Sequence, residues 1–430
     1  MLKVRWLFFL LLLTATWEGV LYLTVGGTNL RPYQPVLVVL VLVVLWSGRI
    51  RVDWMAIALL LYLLSGLPGL ANSIAPGDTA RILFFTALMI AITLTVRTLI
   101  RTRSAMNWAL QAWVLGVGNI VNMFGLLQLL TWFAGRPISP HFGLQYYPIY
   151  RPYSFFIEPN FYGNFLAAQI ISLVVLWLSP AHRRIHALCL ISLPPALLLL
   201  AFNQSRGAWI ALALSLAIYI FFRYMRRGAF SPRLAAWGFS LLCVGVVGLS
   251  AIVQVAPDLS EPFVQRLRDT VQPLAEGAAR DRVYDIQRSF EATQRRPWIG
   301  HGVGTWGYYV GLDGRSAQTP PRNIFVAWLF EKGLIGTVAG LLLVFTILVR
   351  HVRALRVAPA DLRALIWAPF LGWFAIFFTF QFTVLEISPL YWITLGLFIA
   401  ATDLALSPTP AIVSAPQTEP ATNLSALLRS

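Results

Sequence analysis

Charged side chains are scarce in this chain: Asp, Glu, Lys and Arg together make up 12% of its 430 residues. Soluble domains average about a quarter charged residues, so most of this chain is expected to lie in lipid. Acidic residues are scarcer than basic ones, 17 against 33, and the formal net charge is +16. This excess does not indicate nucleic-acid binding. About half of the arginines fall in connections between apolar runs, where they set membrane topology and meet anionic head groups.

Cysteine and histidine are also few, which excludes several kinds of site. The two cysteines, Cys189 and Cys243, lie inside apolar runs, which indicates packing residues and no disulfide framework. No two of the five histidines have the spacing of a zinc site. The sequence also lacks a Walker loop, a GxSxG elbow and a dinucleotide fingerprint. We therefore expect neither a metal nor a cofactor.

Long apolar runs are abundant, since hydrophobic residues make up 58% of the chain. A membrane-spanning helix needs roughly 20 apolar residues, so the runs predict an all-α polytopic membrane protein with about twelve spans. The spans lie near residues 6–25, 34–47, 54–71, 81–96, 107–132, 161–178, 186–202, 207–222, 235–255, 324–349, 364–382 and 388–406. The first is interpreted as a retained helix and not a cleaved signal peptide, because it holds Glu18 and shows no clear cleavage site.

The polar connections between these runs alternate in arginine content. The arginine-rich connections contain Lys3/Arg5, Arg49/Arg51, Arg97/Arg101/Arg103, Arg183/Arg184, Arg223/Arg226/Arg227/Arg233 and Arg350/Arg353/Arg356/Arg363. Short loops rich in Lys and Arg stay in the cytoplasm. Both termini are therefore predicted to be cytoplasmic, and the remaining connections to face outward.

The domain organisation follows from this topology. We expect a transmembrane domain over residues 1–406, with a large extracytoplasmic loop at residues 256–323 between its ninth and tenth spans. The tail at residues 407–430 is rich in Pro, Ala, Ser and Thr and is expected to be cytoplasmic and disordered. Within the loop, residues 280–296 predict an amphipathic helix. Its apolar stripe contains Val283, Ile286 and Phe290, and its other stripe contains Arg280, Tyr284, Arg288, Glu291 and Arg295.

Two outward-facing motifs contain candidate anion-binding groups. In residues 203–209, Ser205 is expected to cap a helix that starts at Gly207. Arg206 beside that helix end forms a natural anion site, because guanidinium binds phosphate oxygens with two hydrogen bonds. The alternative is an arginine that only marks the membrane edge. The arginines of the 280–296 helix likewise indicate pyrophosphate or another polyanion, with a solvated helix face as the alternative.

Two further motifs place acidic residues near the membrane edge. Glu158 is either a general base or the ion-pair partner of Arg151, and Asn160 is suited to cap the helix that follows. Glu331 and Lys332 fall at the outer end of an apolar run, where charges are costly unless they are paired or functional.

Taken in order, these motifs resemble the O-antigen ligase / Wzy polymerase superfamily of bacterial envelope glycosyltransferases. The resemblance extends over roughly residues 150–400. The matching stretches are R…F…EPN at 151–160, Ser205-Arg206-Gly207, Arg280 with Tyr284 followed by Pro297-Trp298-Ile299-Gly300-His301-Gly302, and Arg322-Asn323 followed by Glu331-Lys332-Gly333-Leu334-Ile335-Gly336. Each motif alone is a weak signal, whereas the four in this order, with a large outer loop, are specific.

The resemblance implies a GT-C-like enzyme of the inner (plasma) membrane that acts without a metal. It would transfer a glycan from an undecaprenyl-diphosphate donor to an acceptor sugar at the outer face, as an O-antigen ligase does. A Wzy-type polysaccharide polymerase is the alternative. The acceptor would be a glycan, a lipid or a protein, and membrane lipids are the other expected partners.

The resemblance also implies roles for particular residues. Those implied to bind the donor diphosphate are Arg206 and Arg280, with Arg151 and Arg288 as further candidates. Those implied to support the site are Asn160, Ser205, Asn323, Glu331 and Gly333. One position departs from the pattern, because Arg322 stands where the ligases have a histidine that acts on the acceptor hydroxyl. Either His301 or Glu158 would then deprotonate that hydroxyl, with Arg322 contributing positive charge.

A transporter of an anion or of a lipid-linked glycan is the rival from another functional class. Such proteins carry charged or broken helices near the middle of the membrane. Most of the predicted spans here are free of charge, and the charges sit at their outer ends, which favours the enzyme.

Overall fold

The computed structural model of this chain is predominantly α-helical, which confirms the predicted all-α class. It describes residues 2–17, 23–25, 28–47, 51–136, 138, 151–225, 277–311, 320–384 and 387–407. The predicted span at 235–255, residues 256–276 of the predicted loop and residues 408–430 of the predicted tail lie outside the described residues.

The helices before the predicted loop are mostly long and apolar. In chain order the elements are α1 (Leu2–Thr14), β1 (Leu23–Val25), β2 (Thr28–Leu30), α2 (Tyr33–Trp46), α3 (Trp54–Leu64), α4 (Leu67–Ala71), α5 (Pro76–Leu99), α6 (Arg103–Gln111), a π-helix (Ala112–Val117), α7 (Gly118–Phe133), α8 (Pro159–Trp177), a 3₁₀ helix (Pro180–Ile185), α9 (His186–Asn203) and α10 (Arg206–Met225).

The second group contains two helices of the predicted loop and three long apolar helices. These are α11 (Gly277–Thr293), α12 (Trp306–Tyr309), α13 (Ile324–Val357), α14 (Ala360–Thr379) and α15 (Pro389–Leu406). The helix predicted at 280–296 is therefore confirmed as α11, although it ends earlier. Arg295 and Arg296 instead form a turn, in which their amides donate to the carbonyls of Ala292 and Thr293 at 3.0 Å.

Nine helical segments in the described part of the chain are long and apolar enough to cross a membrane. They are Trp54–Ala71, Pro76–Leu99, Arg103–Phe133, Pro159–Trp177, Pro180–Asn203, Arg206–Arg223, Ile324–Val357, Ala360–Thr379 and Pro389–Leu406. The polytopic architecture is thus confirmed, and the total of about twelve spans stays a prediction.

The first predicted span, 6–25, is wrong in its extent. Helix α1 ends at Thr14, and strands β1 and β2 form an antiparallel hairpin with Leu23 opposite Leu30. The Thr14 hydroxyl donates to the carbonyl of Leu10, and the Thr16 hydroxyl donates to the carbonyl of Leu13, both at 2.7 Å. The hairpin begins within the predicted span, and a count of apolar residues does not distinguish a short apolar strand from a continued helix.

The helices are tied together at one end of the bundle by a closed ring of charges. Arg97 of α5 donates to both oxygens of Asp53, at 2.9 and 2.7 Å, and to Asp403 at 2.7 Å. Arg350 of α13 contacts the same two carboxylates, which lie at the start of α3 and near the end of α15. Burial opposes ionisation of Asp53, but hydrogen bonds from Arg97 and the Ala56 amide, together with the charges of Arg97 and Arg350, lower its pKa. The candidate functional residues Arg151, Glu158, Arg206 and Arg322 lie at the other end of the bundle, called here the site face.

Candidate functional site

Two of the sequence motifs meet through Arg151. Its Nε donates to the carbonyl of Asn203 at 2.7 Å, and its terminal nitrogen donates to Asn160 Oδ1 at 3.0 Å. The side-chain amide of Asn203 donates to the carbonyls of Pro152 and Pro159, at 2.9 and 2.7 Å. The start of α8 and the end of α9 are therefore joined at the site face. The prediction that Asn160 caps α8 is wrong, because α8 begins at Pro159 and the Asn160 side chain accepts from Arg151 instead.

Close backbone approach brings the same two regions together. A Cβ placed on Gly163 of α8 would lie 2.6 Å from Asn203 Oδ1 and 2.7 Å from Ser205 Cβ, so only glycine fits there. Asn203 is fully buried, and sequence reasoning did not single it out as a site residue. The available signal was an amide at the end of an apolar run, immediately before Gln204 and Ser205.

Arg206 is the first residue of α10, which therefore begins one residue earlier than predicted. Gln204 adopts a left-handed conformation with φ of 58°, and this reverses the chain between α9 and α10. The carbonyl of Ser205 accepts the amide of Trp209 at 3.1 Å, the first helical bond expected of a capping position. The half-buried Arg206 side chain thus starts at a helix N-terminus, where amide groups and the helix dipole favour an anion.

Glu158 lies directly before α8, beside Arg151 and Asn160. Burial raises the pKa of its carboxyl, while the charge of Arg151 and a hydrogen bond from Asn160 oppose the shift. The two interpretations of the sequence, ion pairing and proton transfer, are therefore compatible in this geometry. A carboxylate with a raised pKa is a stronger base than an ordinary glutamate.

The other two motifs meet where helix α13 is broken. Gly333 has φ of 65° and ψ of −162°, which interrupts the helical hydrogen bonds around it. The glycine-rich turn at 297–302 satisfies the released groups. Its bonds are His301 N to Phe330 O at 2.8 Å, Gly302 N to Glu331 O at 2.9 Å, Leu334 N to Pro297 O at 2.8 Å and Ile335 N to Trp298 O at 3.2 Å.

The contact between the turn and the broken helix requires glycine on both sides. A Cβ on Gly300 would lie 2.5 Å from the carbonyl carbon of Glu331, and one on Gly333 would lie 2.4 Å from that of Trp298. Both glycines also have positive φ. The glycines of these two motifs therefore serve backbone packing, which is a structural role near the site.

The two charges beside the break are buried and have partners. Glu331 is 4% exposed, and its Oε1 accepts the amide of Gly304 at 3.0 Å. Lys332 is 1% exposed, and its ammonium lies 3.7 Å from the ring centroid of Tyr62, a cation–π contact. These contacts explain how charges are tolerated within an apolar run.

His301 is held in the glycine-rich turn by an aromatic cluster and a hydrogen bond. Its ring stacks on Phe330 at 4.9 Å, and Nε2 lies 2.9 Å from the carbonyl of Ala292. A carbonyl only accepts, so Nε2 carries the proton and Nδ1 of the neutral ring is the remaining base. Burial lowers the pKa of His301, and the charges of Arg296 and Arg295 act in the same direction, against the bond to Ala292.

Arg322, which is predicted to stand in place of the ligases' histidine, is paired with a carboxylate that sequence reasoning did not single out. Asp285 Oδ2 lies 3.7 Å from Arg322 Nε and accepts its backbone amide at 3.3 Å. Asp285 is buried on α11, and Arg322 is exposed. Next to it, Asn323 caps α13 by accepting the amides of Phe325 and Val326, at 3.1 and 3.2 Å. The loop helix is thereby attached to the start of α13.

The turn that follows α14 connects the two halves of the site face. Asn323 donates to Gln381 Oε1 at 3.2 Å, and the amide of Ile324 donates to the carbonyl of Phe380 at 3.0 Å. On its other side, the Phe382 ring lies against Gly207, where an added Cβ would be 3.1 Å from its Cδ2. The helix starts that carry Arg206 and Arg322 therefore share this turn, which no sequence motif predicted.

The remaining predicted arginines lie on helix α11. Arg288 contacts Glu291 at 3.1 Å and lies over the ring of Tyr284 at 5.4 Å, both on its own helix. These contacts fit the solvated-face alternative for this residue. Arg280 belongs to α11, but its side chain lies outside the described residues.

The fold and these contacts define a polytopic helical membrane protein with a polar, arginine-containing site at one end of its helices. Residues 187–341 match a family model described as O-antigen ligase, which confirms the resemblance to the O-antigen ligase / Wzy superfamily. The matched segment contains Arg206, Arg280, His301 and Arg322, whereas Arg151 precedes it. No curated protein matches the chain. The match indicates an O-antigen ligase- or polymerase-like enzyme of a cell membrane.

Proposed function

We propose that this protein transfers a glycan from an undecaprenyl-diphosphate donor to an acceptor sugar at the outer face of the inner membrane, as an O-antigen ligase. The observation that supports this most is the joining of the motifs at the site face. Arg151, Glu158 and Arg206 surround one junction, and the turn after α14 connects it to Arg322.

The reaction proposed for this site is a displacement at the donor's anomeric carbon. The acceptor hydroxyl oxygen forms the new glycosidic bond, and the bond to the diphosphate breaks, with its electron pair leaving on the diphosphate. Arg206, at the start of α10, is placed to stabilise the negative charge that develops on the leaving group. Arg280 is proposed as the second donor-binding arginine.

The hydroxyl proton needs a base, and we assign that role to Glu158 ahead of His301. Glu158 stands in the same hydrogen-bonded group as Arg151, next to the junction that holds Arg206. His301 is fixed between Phe330 and the carbonyl of Ala292, which suits a structural residue of the turn. Arg322 is assigned positive charge at the site and no part in the proton transfer.

Gene deletion with complementation tests the proposal. We expect the deletion to remove a surface glycan and to accumulate the lipid-linked donor, and the wild-type gene to reverse both effects. Arg206→Ala should not complement, whereas Arg103→Ala should, because its exposed pair with Asp361 contributes little. Unchanged surface glycan and unchanged donor in the deletion strain would contradict the proposal.

Polymerisation is the second candidate for the transfer, and Arg322 favours it. A member of the superfamily without the ligases' histidine is expected to tolerate a different acceptor chemistry at that position. The products separate the two activities, since a polymerase lengthens the lipid-linked glycan and a ligase moves it whole. Loss of long lipid-linked chains in the deletion strain would indicate polymerase activity.

Transport is a candidate because α13 is broken at Gly333 beside two buried charges, an arrangement that transporters use. Here, however, the turn at 297–302 pairs the released backbone groups, and Glu331 and Lys332 have protein partners. Purified protein in vesicles separates the two functions. Translocation of donor without formation of a glycosidic bond would support the transporter.

A further inference from the structure

Helix α11 presents a face of small and polar residues to the protein and leaves its apolar stripe uncovered. The residues of its packed face are Asp285, Ser289, Ala292 and Thr293, all buried. Val283 and Phe290 of the predicted apolar stripe are 42% and 52% exposed, and Ile286 between them is half-buried. Residues three, four and seven positions apart share one side of a helix, so these three side chains form one ridge.

Polar side chains flank this ridge on the side away from the packed face. Tyr284, Arg288 and Glu291 are exposed there, and Arg288 contacts both of the others. Helix α11 therefore has a protein-facing side, an apolar side and a water-facing side. A helix that lies along a membrane surface has this division between its two exposed sides.

Trp298, a few residues beyond α11, connects the ridge to a membrane span. Its side chain is 66% exposed, and its carbonyl accepts the amide of Ile335 in α13 at 3.2 Å. Ile335 and Val338 are 46% and 62% exposed within the apolar span Ile324–Val357, as expected of side chains that face lipid. Trp298 thus stands at the edge of a lipid-facing surface, where tryptophan is enriched in membrane proteins.

We propose that α11 lies in the membrane–water boundary at the site face, with Val283, Ile286, Phe290 and Trp298 against lipid. These four residues are called the α11 ridge. Continuity with the lipid-facing side of α13 favours lipid over a second copy of the chain or another segment of it. The same helix carries Asp285, which holds Arg322. Lipid contact at the ridge therefore sets how deep Arg322 lies relative to the membrane surface.

Spin labelling with depth-sensitive relaxation tests this placement in the full-length protein. Single cysteines replace Val283 or Phe290 on the ridge, Arg288 or Glu291 on the polar flank, and Phe345 as a lipid-facing reference in α13, in a background with Cys189→Ala and Cys243→Ala. Phe345 is 63% exposed. Each labelled protein is placed singly in phospholipid nanodiscs, and monodisperse elution shows that the variant has folded.

The two relaxation reagents are oxygen and a water-soluble nickel chelate. The expected result is that labels at 283 and 290 show an oxygen-to-nickel relaxation ratio below that of the label at 345, which lies deeper, and well above those of the labels at 288 and 291. Nickel relaxation at 290 equal to that at 288 would overturn the proposal in favour of an aqueous ridge. Exclusion of both reagents would show that protein covers the ridge. In vesicles, dipolar broadening at 290 that grows with protein density would show a second copy there.

Discussion

Two arginines of the site face differ in what their surroundings allow them to do. Arg322 lies 3.7 Å from the Asp285 carboxylate, so part of its charge is offset within the protein. Arg206 starts a helix, where backbone amides and the helix dipole add to its positive field. The start of α10 therefore favours an anionic leaving group beside Arg206.

Replacing Arg206 should therefore reduce transfer strongly without loss of protein. We expect Arg206→Ala to lower kcat/KM about a hundredfold, on the order of 3 kcal/mol, as for the loss of one transition-state charge contact. Arg206→Lys should recover little, because ammonium lacks the two-pronged donor geometry of guanidinium. The same result is expected for Arg280→Ala. Near wild-type turnover of purified enzyme in either alanine variant would remove that residue from the donor site.

The proton-transfer residue can be assigned from pH dependence. Burial raises the pKa of Glu158, and a base must be ionised to act, so transfer should fall as the pH is lowered through this raised pKa. In Glu158→Gln the rate should be low, and this acid limb should disappear. The measurement is kcat/KM against pH for the wild type, Glu158→Gln and His301→Ala. A normal profile in Glu158→Gln together with an inactive His301→Ala would transfer the role to His301.

At the scale of secondary structure, the break in α13 depends on one backbone conformation. Gly333 has φ of 65° and no room for a Cβ beside Trp298. We expect Gly333→Ala to lower the free energy of unfolding by about 1–3 kcal/mol from the strained conformation alone, and the clash with Trp298 adds to this loss. Gly77 is the matched control, because an added Cβ there meets nothing within 4 Å. Thermal unfolding in detergent compares the two variants; equal midpoints would show that the break tolerates a side chain.

The ring of charges joins four helices at the end of the bundle away from the site. Arg97 is only 4% exposed and contacts two carboxylates. Arg97→Met should leave these carboxylates without their main partner and cost about 3–5 kcal/mol of stability. Arg103→Ala, which removes the exposed pair with Asp361, should cost no more than about 1 kcal/mol. Thermal unfolding measures both, and similar losses in the two variants would argue against a special role for the ring.

At the scale of the whole molecule, the functional proposal depends on which side of the membrane the site face occupies. Arginine alternation predicts that residues 75, 140, 205, 290 and 385 lie outside and residues 50, 100, 184, 228 and 357 inside. Fusions of a periplasmically active enzyme and of a cytoplasmically fluorescent protein at these positions measure the orientation. A cytoplasmic 256–323 loop would contradict the proposed function, because donor and acceptor would then lie on the wrong side.

Local properties of the sequence were enough to predict the helical class, most span positions, helix α11 and the four motifs. Apolar run length and helical periodicity depend on neighbouring residues, and the membrane converts them directly into spans. The same reasoning failed at the first span, because a count of apolar residues does not distinguish strand β1 from a continuation of α1. It also could not tell which stripe of α11 is packed.

Only the tertiary structure decided how the motifs combine. Arg151 with Asn203, Arg322 with Asp285, and the turn at 297–302 with the break at Gly333 are contacts between segments far apart in the chain. Such pairings depend on how whole helices pack, which no local pattern encodes. The sequence by itself determined which residues stand near the membrane edge, because the bilayer accepts apolar residues in its interior and keeps charged residues at its surface. Packing decided which of those residues face one another, because complementary shape and hydrogen bonding act only between surfaces already in contact.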